Sequence, residues 1–156
     1  MAQKGWHQLA ETVEDGQLPG TYVQKACAYI TRGTDELLVF EGPEYEGLQI
    51  PKGTIEHGET PHDAVTREIE EESGLESLQT ISYLTTDVWT RSLEPPKQYI
   101  RHFYEITIEE SRDQWTHTVT GEGDEHGLAY QYTWEPLPPE QPFALALDDY
   151  IHFIRD

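Results

Sequence analysis

Residues 53–75 read GTIEHGETPHDAVTREIEEESGL, and this stretch constrains the fold more than any other part of the chain. It is punctuated as one helix. Thr60 is placed to N-cap it, Pro61 fits the first helical position, Asp63 can complete the capping interaction, and Gly74 supplies a C-terminal stop. On a helix advancing about 100° per residue, Glu68, Glu71 and Glu72 fall within about a third of the circumference. Ala64 shares that arc, and Val65 and Ile69 lie beside it, so the three carboxylates sit at the edge of a buried face. Like charges at i,i+4 cost about 0.2–0.5 kcal/mol per pair in water and more when desolvated. The helix C-terminus disfavours anions further. A hard divalent cation reverses both penalties, and an oxygen-only ligand set points to Mg²⁺, with Mn²⁺ as a substitute. Arg67, on the margin of the arc, is predicted to orient a glutamate through its two-pronged guanidinium rather than to touch substrate; Glu59 in the preceding loop is one candidate partner.

The rest of the chain supplies a mixed sheet for this helix to cover. Lys25–Thr31 reads as a strand, Arg32-Gly33-Thr34-Asp35 as a turn, and Glu36–Glu41 as the returning strand. Leu48–Ile50 reads as a short strand ending at Pro51. Thr80–Trp89 and Tyr99–Ile108 are rich in β-formers and are separated by a loop containing Pro95-Pro96. Leu128, Tyr130, Tyr132 and Trp134 alternate with smaller or polar residues, which marks a strand with one buried face. Phe143, Leu147, Tyr150, Ile151 and Ile154 recur at helical spacing and predict an amphipathic C-terminal helix packed on the sheet. The sum is an α+β domain over residues 1–156, with residues 1–20 as a loosely attached N-terminal segment.

Composition narrows the partners. Thirty Asp and Glu stand against ten Lys and Arg, a formal charge of −20. That rules out a broad electrostatic grip on duplex nucleic acid but not a small phosphorylated substrate, provided that divalent metals invert the local field. No apolar run approaches the roughly 18 residues needed to cross a bilayer, so no membrane partner is expected. One cysteine, Cys27, excludes an internal disulfide framework and makes a reducing cytoplasm the simplest compartment. Cys27 itself reads as a small core side chain.

Gly53, Glu59 and the run Arg67-Glu68-Ile69-Glu70-Glu71-Glu72-Ser73-Gly74-Leu75 together resemble a complete Nudix box, with every fixed position filled. The resemblance implies the Nudix fold, an α/β/α sandwich with a mixed central β-sheet. It also implies a metal-dependent hydrolase of nucleoside diphosphates linked to another moiety. By position, Glu68 and Glu72 match the main metal ligands, Glu71 a third metal-site carboxylate, and the Gly53 carbonyl a further ligand in some members. Water would attack a phosphorus of a pyrophosphate linkage, and a carboxylate would accept its proton. That base is a box glutamate in some members, so Glu68 and Glu71 are candidates. In others it comes from a later loop; here Gly121–His126 offers Glu125, which precedes Tyr130 and Trp134 much as a Glu-His pair precedes an aromatic strand in dinucleoside polyphosphate hydrolases. Many Nudix proteins have a second glycine where Lys52 stands, and the Pro51-Lys52-Gly53 form is similar to dinucleoside polyphosphate hydrolases and decapping members. Lys52 is therefore a candidate polyphosphate contact, and Lys97 and Arg101, after Pro95-Pro96, could provide another. Trp89, Tyr99 or Phe103 could stack on a base, although strand aromatics are more often core.

Subgroup markers are mixed. Ser92 stands where dinucleoside polyphosphate members carry a tyrosine, and Thr90 and Arg91 stand where ADP-ribose members carry a proline. The expected activity is a pyrophosphohydrolase of nucleoside or dinucleoside polyphosphates. Nucleotide sugars, oxidised nucleoside triphosphates, or a catalytically silent nucleotide-binding module are the alternatives. Many Nudix relatives are dimers, but the sequence marks no homodimer interface.

Overall fold

The computed structural model describes residues 22–91 and 94–154, so the proposed N-terminal segment 1–20 lies outside the described residues. The elements are β1 (Tyr22–Arg32), β2 (Glu36–Glu41), β3 (Lys52–Thr54), α1 (Pro61–Ser73), β4 (Thr80–Arg91), β5 (Lys97–Thr107), β6 (Gln114–Thr118), β7 (Ala129–Pro136) and a 3-10 helix (Ile151–Ile154). Six strands lie in the order β4-β5-β1-β2-β7-β6, and β3 pairs with β1 off that path. The β1–β5 pair is parallel and the others are antiparallel, which makes the sheet mixed.

β1 is apolar on both faces because it is central. Ala26, Ala28 and Ile30 face α1, where Ala64, Val65 and Ile69 meet them together with Tyr104, Ile106, Tyr130 and Tyr132. Cys27 and Tyr29 face the other way, towards Phe103, Leu147, Tyr150 and Ile151. Val65 and Ile69 are wholly enclosed, and each such side chain stabilises the docking of α1 by about 1.5–3 kcal/mol.

The helix boundaries follow the sequence signals. The Thr60 side chain accepts from Asp63 N at 3.1 Å, Pro61 opens the helix, and Gly74 closes it in a left-handed conformation (φ 80°), with its N–H donating to Glu70 O at 2.9 Å. The carbonyls left over at the C-terminus are not abandoned to solvent. Tyr132 Oη donates to Glu72 O (2.8 Å), Trp115 Nε1 to Ser73 O (3.0 Å), and Thr120 N to Glu71 O (3.0 Å). His117 Nε2 lies 3.0 Å from the same Glu71 oxygen, which requires the tautomer protonated there. Strands β6 and β7 thus grip the end of the helix that carries the carboxylates.

Several elements differ from the sequence reading. β3 and β6 were not anticipated, and Leu48–Ile50, expected as a short strand, forms only isolated bridges, Gln49 with Phe40 and Leu48 with Phe143. The predicted C-terminal amphipathic helix is instead a succession of turns ending in the short 3-10 helix. Leu147, Tyr150 and Ile151 are buried as their spacing demands, but Leu145 and Ala146 adopt φ of 58° and 55°, which no right-handed helix contains. The second layer of the sandwich is therefore this turn-rich strap.

Gly74→Ala tests the C-cap. An added Cβ would lie 2.9 Å from His117 Nδ1 at a positive φ, so a loss of about 1–2 kcal/mol or more is expected in chemical denaturation.

Candidate active site

The site is built where the start of β3, the C-terminal half of α1 and the loop between β6 and β7 meet. Gly53 on β3 lies so close to α1 that a Cβ there would sit 1.9 Å from the Glu68 carboxyl carbon. Glycine at this position is a steric requirement. Gly121, at φ 89°, makes the same approach to Glu71, with a notional Cβ 2.5 Å from its carboxyl carbon. Two backbone segments are thus packed directly against two carboxylates of one helix.

Arg67 ties these parts together. Its Nε and Nη2 donate to the two oxygens of Glu59 at 2.8 and 3.0 Å, a bidentate pair. Nη1 donates to Glu68 Oε2 at 2.8 Å and Glu71 Oε1 at 3.1 Å, and Nη2 also donates to Thr54 O at 3.0 Å. The guanidinium holds the Glu59 carboxyl below its ordinary range. It therefore orients glutamates and joins the preceding loop to the helix.

Glu68 and Glu72 lie deeper. Burial pushes the Glu68 carboxyl up to about 7, against the opposing pull of Arg67, with Glu71 and Glu125 adding to the rise. Glu72 is enclosed, and burial raises its carboxyl well above the usual range; Glu125 and Glu68 raise it further, while Lys52 counters. Glu72 Oε1 accepts from Lys52 N at 3.2 Å, but Oε2 has no hydrogen-bond partner among the described residues. A buried carboxylate oxygen without a partner is costly unless a cation or proton supplies one. These oxygen donors suit a hard divalent ion. Among the described residues, however, no three of them converge as a ready-made ligand set, and Arg67 Nη1 bonds both Glu68 and Glu71.

Outside these carboxylates lies a cleft of about 160 Å³, lined among others by Arg67, Glu68, Glu71, Glu122, Asp124 and Glu125. Glu125 is therefore brought to the helix, as are its neighbours Glu122 and Asp124. Lys25 on β1 also lines the cleft, with Nζ donating to Thr54 Oγ1 at 2.9 Å. The sequence reading missed Lys25. Its signal was faint: a lysine at the head of an apolar strand, brought to Thr54 by the β1–β3 register.

The other predicted cations fall differently. The Lys52 backbone reaches Glu72, while its ammonium donates to Gln49 Oε1 at 3.1 Å. Lys97 is exposed outside the cleft, 5.7 Å from the Tyr99 ring centre. Arg101, expected at substrate, is instead 3% exposed and paired with Asp87 on the opposite face, because strand alternation places it beside Phe103. Phe103 is likewise enclosed, stacked on Tyr29, and unavailable to a base. Trp89 is half-buried against Arg101. Cys27 is a core residue, with burial pushing its thiol up to about 11.

The chain belongs to the Nudix family: the NUDIX domain profile matches residues 21–150. It is 45% identical over 58 residues to an RNA pyrophosphohydrolase of Psychrobacter sp. (strain PRwf-1), a match covering 37% of this chain and 33% of that protein. The chain thus spans about a third of the length of the Psychrobacter relatives it matches. An RNA pyrophosphohydrolase of Cereibacter sphaeroides is 26% identical over 135 residues, covering 81% of this chain and 83% of the other. Among solved structures, a MutT NUDIX hydrolase from Burkholderia pseudomallei superposes with a TM-score of 0.64 at 19% identity, over 85% of this chain and 98% of that one. A UDP-X diphosphatase does so at 0.59 and 16% identity, over 95% and 68%. These structures share the α+β Nudix fold. Nudix hydrolases use divalent metal ions.

The raised Glu68 carboxyl has a consequence for the metal-free protein. Its folded form binds a proton more tightly than the unfolded chain, so Glu68 favours folding fully below about pH 4.5 and loses that contribution as pH rises to about 7. Glu68→Gln is expected to flatten this part of the stability–pH profile, measured by thermal melts in chelator. An unchanged profile would place Glu68 in a more solvated setting.

Proposed function

We propose that this protein is a divalent-metal-dependent pyrophosphohydrolase that cleaves a phosphoanhydride of a nucleoside polyphosphate, with dinucleoside polyphosphates slightly favoured. The observation that carries the reading is Glu72: a wholly enclosed carboxylate with one unpartnered oxygen, beside a second buried carboxylate, Glu68, on the same helix. Such a pair is unfavourable in a resting fold and useful where a cation must be gripped. The RNA pyrophosphohydrolase relatives and the UDP-X diphosphatase neighbour are named for pyrophosphate chemistry.

In this reading Glu68, Glu71 and Glu72, with the Gly53 carbonyl, would hold Mg²⁺ or Mn²⁺. The ion supplies charge neutralisation at the phosphate oxygens and a lowered pKa for water. Arg67 keeps Glu68 and Glu71 in place and balances their charge. Glu125, carried by the loop anchored through Thr120 to Glu71, takes the proton from the attacking water. Lys25 is the ammonium in the cleft and receives a phosphate of the chain. The cleft's small volume suits a phosphate group, which leaves the nucleoside outside on the surface. The net charge of −20 favours a small nucleotide over an extended nucleic acid held along its backbone.

The first test is a nucleotide panel with Mg²⁺ or Mn²⁺, resolved by product. Glu72→Gln is expected to lose at least about two orders of magnitude in turnover while keeping a cooperative melt, as for removal of a metal ligand from a phosphoryl site. Wild-type turnover in that variant would overturn the metal assignment. Glu125→Gln should slow turnover without weakening Mn²⁺ binding; a wild-type rate would return the base role to Glu68 or Glu71. Lys25→Ala should raise KM more than it lowers kcat, and an unaltered KM would remove Lys25 from the phosphate path.

A further inference from the structure

The face of the sheet opposite α1 contains a buried charge pair that no step at the cleft uses. Asp87 on β4 is wholly enclosed, and Arg101 on β5 nearly so. Arg101 Nε and Nη2 donate to the two Asp87 oxygens at 3.0 and 2.6 Å, and Tyr150 Oη donates to Asp87 Oδ2 at 2.8 Å. The remaining prong of the guanidinium reaches the C-terminal strap. Nη1 donates to Leu145 O at 3.0 Å and lies 3.4 Å from Ala146 O. Those are the two consecutive residues with positive φ, a backbone state that side chains other than glycine rarely adopt. A non-glycine turn of this kind persists when its surroundings over-determine it, and two carbonyls converging on a buried guanidinium do so.

The same strap is hydrogen-bonded to the chain that enters the cleft. Leu48 N donates to Pro142 O at 3.0 Å, and Ala144 N donates to Leu48 O at 2.9 Å. Gly47 lies so close that a Cβ there would sit 2.9 Å from Ala144 N. Beyond Leu48, Gln49 exchanges two backbone bonds with Phe40, both 2.9 Å, and Pro51 O accepts from Ala28 N. Lys52 N then meets Glu72, and Gly53 meets Glu68. A continuous series of bonded contacts therefore runs from Arg101, through Leu145 and Leu48, to the carboxylates on α1.

We propose that the Arg101–Asp87 pair is a positioning device for the site: it holds the left-handed turn at Leu145–Ala146, which fixes the strap against Leu48 and sets Gln49–Gly53 against Glu72 and Glu68. Arg101 touches no substrate in this assignment. The inference rests on the reading of the cleft given above, and its structural arm is measurable without substrate.

The test uses the full chain with Asp87→Asn and Arg101→Met together, in a background where Asp149, 3.7 Å from Arg101 Nη2, carries Asp149→Asn in both variant and reference, so that no charge is left buried and unpaired. Hydrogen exchange at the Leu48 and Ala144 amides is expected to accelerate at least tenfold, with the β2–β7 ladder unchanged. Activity on the best pyrophosphate substrate is expected to fall at least tenfold in kcat/KM. Adding Leu145→Gly and Ala146→Gly relieves the turn of its need for Arg101 and should bring both readouts to within about threefold of wild type. A merely structural core pair would not be rescued by glycines in the strap. Should the double variant fail to fold, Arg101→Lys keeps a cation beside Asp87 but removes the prong that reaches Leu145 O, and should give the same exchange and activity pattern. Unchanged exchange at Leu48 and Ala144 in the folded variants, or acceleration that the glycines do not reverse, overturns the proposal. If the wild-type protein cuts no pyrophosphate bond, the reading of the cleft fails, and the exchange result still decides whether Arg101 sets the strap.

Discussion

The guanidinium of Arg67 is the interaction on which the site depends. Three carboxylates in the C-terminal half of one helix oppose one another and the helix dipole, and two of them are also withdrawn from water. Arg67 offsets this by bonding Glu68 and Glu71 with one nitrogen and clamping Glu59 with the fork. The loop from β3 and the helix are thereby fixed to each other through charge-assisted bonds rather than through apolar contact. Glu72 is the residue that Arg67 does not reach, and its free oxygen is the feature a cation would complete.

The sheet divides the remaining labour between its faces. On one face the enclosed Val65 and Ile69 anchor α1, and Tyr132 and Trp115 secure the last carbonyls of the helix. The helix end that bears the carboxylates is thus held from both sides: by glycines that permit close approach, and by aromatic donors that prevent fraying. On the other face the strap closes over Tyr29 and Phe103 and backs the segment that carries Gln49 to Gly53. Tyr29 Oη donates to Leu147 O at 2.6 Å, so even the aromatic core beneath the strap is hydrogen-bonded to it.

What could be read from the sequence is what local chemistry determines. Thr60, Pro61 and Gly74 mark the helix because capping is a contest among neighbouring residues, and the carboxylate arc follows from the 3.6-residue period. Glu36–Glu41 and the alternating Tyr130 and Tyr132 are equally local signals. The strap was misread because its apolar spacing is helical while its backbone is governed by Arg101, a residue more than forty positions away in the chain. Arg101 itself was misplaced for the complementary reason: a lone arginine after a proline loop reads as a surface cation, and only the β4–β5 register shows Asp87 opposite it. Lys25 escaped notice because β3 joins β1 by non-local pairing, which composition cannot reveal. β6 is short, and its Trp115 and His117 alternate with polar residues over too few positions to stand out.

The buried glutamates of α1 are proposed to form a cation site, and the decisive experiment is a Mn²⁺ titration followed by electron paramagnetic resonance. The free-ion signal should be depressed by the wild-type protein at micromolar metal, and should return when Glu68 and Glu72 are both replaced by glutamine. A wild-type titration indistinguishable from buffer, or one left intact by that double replacement, would contradict it.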